Sequence, residues 1–155
     1  AELYEIRKKY PEALSNLDKA LAIFSRENFL DGIIVTLVNK GNIYTAQGKY
    51  LLAQTVLDSS LRIARRAESK THQKSILWAI SENYRLSGNH KLAYEYYVKY
   101  HQIYDTLYEL ERANRISELS MQYNNERIQK ENLALKNNNL EMQLNLRKKT
   151  NQNRS

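Results

Sequence analysis

The chain has no cysteine, one proline and four glycines in 155 residues. Without cysteine there is no disulfide framework and no thiolate to act as nucleophile or metal ligand. So few glycines and prolines leave the backbone few places to break. That excludes a turn-rich, many-stranded β architecture and favours long helices. No run of about 18 apolar residues is present, so nothing here reads as a membrane span. No secretory leader is expected within this sequence, and targeting segments of a longer protein would lie outside it. The chain starts without Met, inside what reads as a helix, and is expected to be a piece of a longer protein. Catalytic signatures are also missing. There is no Gly-rich phosphate loop, no His-Glu-x-x-His and no nucleophile elbow. Of the three histidines, His101 stands one helical turn before Asp105, but a third metal ligand is lacking. The expectation is a non-enzymatic chain with no cofactor and no metal.

What is present begins with charge. The net charge is +7, and Arg147, Lys148, Lys149 and Arg154 supply four of those charges in the last nine residues. The rest of the surface is mixed, without the basic stripe interleaved with aromatics that marks a nucleic-acid binder. No nucleic-acid partner is expected. Tyrosine is abundant, 12 against 2 Phe and 1 Trp. A tyrosine buries its ring and keeps its hydroxyl wet, which suits half-buried helix faces and binding surfaces.

The sequence repeats itself. Ala13, Ala53 and Ala93 stand 40 residues apart, each after a turn-like stretch. Leu17, Leu57 and Tyr97 follow at plus four, and Ile23, Ile63 and Ile103 at plus ten. Tyr4, Tyr44 and Tyr84 precede the turns, which carry Lys8, Gly48 and Gly88. A tight turn between two apolar-periodic runs is the sequence form of a helical hairpin. In the second copy Gly41, Tyr44, Gly48, Tyr50, Ala53, Leu57 and Ser60 fall in the order of the tetratricopeptide repeat motif, which this chain resembles over residues 1–107. The third copy supplies Ser81, Tyr84, Gly88, His90, Ala93 and Tyr97. It departs at His90 and at Tyr100. The resemblance implies an all-α fold, a right-handed solenoid of α-hairpins. Its units are a partial first repeat (1–28), a second (29–69) and a third (70–107).

The expected elements are a helix ending at Lys8, then one from Pro11 to about Glu27. Helices over 29–47, 50–68 and 71–87 follow, with Asp31 and Asn89 as N-caps. Nothing after Gly88 breaks a helix. The last repeat helix is therefore expected to leave the solenoid as a long helix or coiled coil over 108–149, before a frayed tail at 150–155. Its seam candidates are Ile116, Leu119, Tyr123, Ile128, Leu133, Leu135, Leu140 and Met142, read as two neighbouring seven-residue stripes. A homodimer through this helix is expected; folding back onto the repeats, or fraying of the Asn-rich end, is the alternative.

A second resemblance rests on Ala93-Tyr94-Glu95-Tyr96-Tyr97-Val98-Lys99-Tyr100, on Tyr104-Asp105-Thr106-Leu107-Tyr108, and on Ile116-Ser117-Glu118-Leu119 beyond. It is to the sensor region of membrane-bound regulators typical of Bacteroidetes, with histidine-kinase or helix-turn-helix output. It implies a signal-transmitting domain at the periplasmic face of the inner membrane, adjacent to the membrane without spanning it. The competing reading is a soluble cytoplasmic adaptor.

The tetratricopeptide resemblance also implies a protein or peptide ligand held in a groove lined by the first helix of each hairpin. The candidates there are Val35, Val38, Asn39, Asn42 and Thr45 of the second copy. From the third come Ser75, Trp78, Glu82 and Arg85. Trp78 neighbours the packing position Leu77, so it faces either the groove or the core. Val38 and Trp78 stand where a carboxylate clamp would need lysines, which disfavours capture of a free C-terminus.

Overall fold

A computed structural model describes the backbone of residues 2–154 and the side chains of residues 9–154. Among the described residues there is no strand. Five helices follow one another: α1 (Glu2–Arg26), α2 (Leu30–Ala46), α3 (Tyr50–Arg66), α4 (Lys70–Leu86) and α5 (His90–Asn153). The chain divides into two compact units, Ala1–Tyr108 and Glu109–Ser155.

The turns in the first unit are built alike. Asn28, Gly48, Glu68 and Gly88 have φ of 53°, 73°, 53° and 87°, so one left-handed residue recurs every 20 positions. The amide after each one donates back across the helix end: Phe29 to Phe24 O, Lys49 to Tyr44 O, Ser69 to Ala64 O and Asn89 to Tyr84 O, at 2.8–3.0 Å. The left-handed residue's own amide donates to Ser25 O, Thr45 O, Arg65 O and Arg85 O. This paired closure satisfies carbonyls that a helix end otherwise leaves unbonded. Two of the turns use glycine, which adopts positive φ without strain, and two do not. Side-chain caps then start the return helices. Ser69 Oγ accepts from His72 N–H, and Asn89 Oδ1 accepts from Leu92 N–H at 3.2 Å.

Helices α2, α3 and α4 stack so that α4 touches both of its predecessors. The core between them is Ile34, Leu57, Leu61, Ala64, Ile76, Leu77, Ala79 and Ile80. Close approach depends on small residues. A Cβ on Gly41 would sit 2.6 Å from Leu57 Cδ2, and one on Gly32 would sit 2.5–2.8 Å from the rings of Phe29 and Phe24. Ser60 and Ser81 are buried at the crossings and donate to backbone carbonyls, Ile34 O at 3.2 Å and Ala93 O at 2.8 Å. Each such bond keeps a buried hydroxyl from being left unpaired.

Three expectations are corrected. No turn interrupts the chain at Lys8–Pro11; α1 runs through Pro11 from Glu2 to Arg26. Lys8 carries none of the left-handed geometry that closes the real turns. Pro11, though it cannot donate to the preceding turn, does not stop this helix. The N-cap of α2 is Phe29, without a side-chain bond, and Asp31 lies inside the first turn. The turn closes at Phe29, which places Leu30 and Asp31 already within helical backbone. There Asp31 Oδ1 lies 3.2 Å from His72 Nε2 of α4. Lastly, α5 continues to Asn153 rather than ending near Lys149, and Thr150 Oγ1 donates back to Leu146 O.

Lys40 is a half-buried charged residue of α2. Its side chain is largely covered, and Nζ reaches Asp18 of α1 at 2.6 Å. A long aliphatic stem thus serves as packing while its charge finds a carboxylate at the rim.

Candidate functional site

Helical spacing brings one face of α2 beside one face of α4. Val38 and Asn42 are one turn apart on α2. On α4, Lys74, Trp78 and Glu82 are successive turns of one stripe, with Ser75 and Ala79 alongside. Together with Tyr100 of α5 they line an open groove of ≈ 570 Å³. Trp78 is 45% exposed. Its ring packs against Tyr100 and Tyr97 at centroid distances of 5.3 and 6.4 Å. That resolves the alternative left open by the sequence: Trp78 faces the groove, and the adjacent Leu77 is in the core, 2% exposed.

At the far end of the groove Glu82 is held by its own helix. Arg85 Nε donates to one carboxylate oxygen at 3.0 Å and Arg85 Nη2 to the other at 2.8 Å. The hydrogen bond from Arg85 holds the Glu82 carboxyl below its ordinary range, against a smaller opposing effect of burial. Glu82 therefore presents a fixed negative charge rather than a proton donor. The wall opposite carries the amide of Asn42, which can both donate to and accept from a peptide backbone.

Of the nine groove candidates, Val38, Asn42, Ser75, Trp78 and Glu82 line the groove, and Arg85 clamps Glu82. Val35 and Asn39 are exposed on α2 and do not line it. Thr45 turns away: its hydroxyl donates to Asn83 Oδ1 at 2.9 Å. Asn83, 1% exposed, in turn donates to Tyr50 O at 3.0 Å and Gln54 Oε1 at 3.3 Å. One buried amide thus ties α2, α3 and α4 together. Sequence reasoning missed Lys74, Ala79 and Tyr100 as groove residues. Two of them depart from their own repeat: Lys74 stands 40 residues after the buried Ile34, and Tyr100 stands 40 after the buried Ser60.

Beyond the groove, aromatic rings continue along α5. Tyr100 and Tyr104 are 6.0 Å apart, Tyr104 and Tyr108 stack at 6.4 Å, and His101 packs on Tyr97 and Tyr104. Lys74 Nζ lies 5.8 Å from the centre of the Tyr104 ring. His101 Nδ1 lies 3.3 Å from Asp105 Oδ2. Among the described residues no cluster of three metal-binding side chains occurs.

In the second unit every described side chain is exposed. The seam candidates do not form neighbouring stripes. Residues two apart on an α-helix differ by about 200° around its axis. Ile116, Leu119, Tyr123, Leu133 and Leu140 therefore share one face. Ile128, Leu135 and Met142, with Met121, occupy the opposite one. Arg115–Glu111 and Arg127–Glu131 pairs decorate the surface one turn apart. Among the described residues no helix is long and apolar enough to cross a membrane.

Comparison with curated proteins and with solved structures gives no match. Residues 32–106, from the start of α2 to the aromatic run of α5, match the family model described as Tetratricopeptide repeat.

Proposed function

We propose that this chain is a non-enzymatic protein- or peptide-binding and signal-transmitting domain, the extracytoplasmic sensor part of a bacterial two-component or transcriptional regulator. The tetratricopeptide match supports protein interaction. The observation that carries the reading is α5 itself. One uninterrupted helix supplies Tyr100 to the groove and then, past Glu109, exposes apolar side chains on two faces. The ligand is a protein segment with an apolar anchor for Trp78 and backbone groups for Asn42. Its seating biases the pairing of the α5 tail with a second copy, a change between discrete packings rather than a continuous deformation.

The pairing is tested by sedimentation equilibrium on the full chain and on a variant with both faces altered: Leu119, Ile128, Leu133, Leu135, Leu140 and Met142 changed to Gln. The full chain is expected to self-associate and the variant to do so far less. Equal masses would refute tail pairing. The membrane placement is tested separately by the gene downstream of the Ser155 codon. A run of about 20 apolar residues supports the regulator. A stop or a polar continuation refutes it and favours the cytoplasmic adaptor. The basic cluster Arg147, Lys148 and Lys149 counts against an extracytoplasmic placement, since basic residues flanking a span prefer the cytoplasmic side.

A further inference from the structure

The last hairpin carries a face that its predecessor keeps buried. In the second copy Ile34, Leu57, Leu61 and Ala64 lie under α4, with exposures of 0%, 0%, 4% and 0%. Forty residues later the same positions are Lys74, Tyr97, His101 and Tyr104. Val38, which borders that buried core, becomes Trp78. Tyr97 and Tyr104 are 41% and 42% exposed, close to Trp78. The end of a repeat array that meets only water is ordinarily polar on its outer face. This end instead holds a tryptophan and three tyrosines in mutual contact, including Tyr100. Amphipathic rings of this kind make the anchors of protein interfaces, because they bury much area at little entropic cost.

The second copy shows what such a face accepts. Its two helices form a channel that takes a third helix, α4, along its length. The geometry points to the same arrangement one copy later. We propose that the α4–α5 end face receives an amphipathic α-helix of a partner protein, seated as α4 is seated on α2 and α3. The helix presents apolar and small side chains to Trp78, Tyr97 and Tyr104, and a carboxylate to Lys74. The charge follows from the surroundings. Glu82 is engaged by Arg85 and Asp105 by His101, whereas Lys74 has no acidic partner among the described residues. A second copy meeting this face with its own would bring another Lys74 rather than a carboxylate, which disfavours it as the occupant. This docking shares Lys74 and Trp78 with the concave groove, extends from them to Tyr97 and Tyr104, and does not depend on the sensor reading.

Trp78, the single tryptophan, is the reporter. The full chain is titrated with a stapled 18-residue helical peptide bearing Leu and Ala on one face and Glu on the rest. A twin has Lys in place of Glu, and a second twin carries a central proline. The acidic helix is expected to shift Trp78 emission to the blue and to shield it from acrylamide, saturably. Tyr104→Ala and Tyr97→Ala, checked by circular dichroism for unchanged helicity, are each expected to weaken binding at least tenfold. Lys74→Glu is expected to transfer the preference to the Lys twin. No saturable change refutes the proposal. Equal binding of the Glu and Lys peptides refutes its charge selectivity. Equal binding of the proline twin assigns the signal to an extended peptide in the groove and refutes a helix. A concentration-dependent Trp78 shift without peptide assigns the face to a second copy, which also refutes it.

Discussion

Glu68 is expected to be the weakest turn in the array, and replacing it by glycine should stabilise the protein. It sits at φ 53°, where a side chain with a Cβ crowds the carbonyl that follows. The left-handed conformation costs a non-glycine residue about 1–2 kcal/mol. Glycine removes that strain but gives back roughly 0.5–1 kcal/mol through the greater freedom of the unfolded chain. The net expectation for Glu68→Gly is a gain of about 0.5–1 kcal/mol. The carboxylate offers nothing to offset it, since Glu68 is exposed and forms no ion pair among the described residues. Glu68→Ala is the control. It removes the same charge and keeps the Cβ, so it should leave stability nearly unchanged. Urea denaturation followed by circular dichroism reads the difference as a rise in midpoint of a few tenths of a molar, given slopes of ~1–3 kcal/mol/M. Asn28→Gly, at the same φ, should gain less because asparagine tolerates this region better. If Glu68→Gly and Glu68→Ala behave alike, the strain argument is wrong.

Gly41→Ala should destabilise by about 1–3 kcal/mol, because its Cβ would meet the fully buried Leu57 at 2.6 Å. The same denaturation midpoints check it. Asn83→Ala should cost about 1–3 kcal/mol by stranding the Thr45 hydroxyl, Tyr50 O and Gln54 Oε1. Paired with Thr45→Val it should be non-additive by more than ~0.5 kcal/mol in a double-mutant cycle. Additivity would remove Asn83 from its place as the tie between helices. Glu82 should titrate below its ordinary value of 4.5, since Arg85 stabilises the carboxylate. A group lowered in this way contributes stability that is complete above 4.5 and lost as pH falls through its folded value. Carbon-detected NMR titration should show the Glu82 midpoint rising in Arg85→Ala; an unmoved midpoint would disprove the coupling.

The stack was legible because repetition marks it. Ala53 and Ala93, Gly48 and Gly88, and Tyr44 and Tyr84 are equal residues in equal places, and each has one structural job. The turns at Asn28 and Glu68 were not legible, because the mark of a left-handed residue is glycine and neither has it. The same logic misled at Lys8, where the 40-residue register implies a turn. The 20-residue step from Asn28 backwards leads to the same position, but α1 passes straight through it. Most of the groove followed from the tetratricopeptide resemblance: Val38, Asn42, Ser75, Trp78 and Glu82 line it. Thr45 was misplaced because its partner, Asn83, is 38 residues away. A hydrogen bond at that distance is fixed by how α4 lies on α2, which no local pattern encodes.

The tail helix constrains its own partners. The face with Ile116, Leu119, Tyr123, Leu133 and Leu140 is interrupted, since Glu126 and Lys130 stand at its seven-residue positions. Polar residues within a seam cost stability and fix register. The opposite face, Met121, Ile128, Leu135 and Met142, runs at unbroken seven-residue steps. A two-stranded coil has one seam, so it shields one face and leaves the other in water. Choosing the interrupted face gives a pair with polar layers at Glu126 and Lys130 and leaves the other stripe exposed. Choosing the continuous face gives one apolar layer per heptad, since Asn125, Asn132 and Asn139 stand four residues after Met121, Ile128 and Leu135, and exposes the first face. Burying both requires two neighbours, one on each side. The pairing proposed for this helix therefore depends on which neighbours are present. Alternative pairings are what the proposed transmitting role requires, since a ligand preference selects only between packings that are both available.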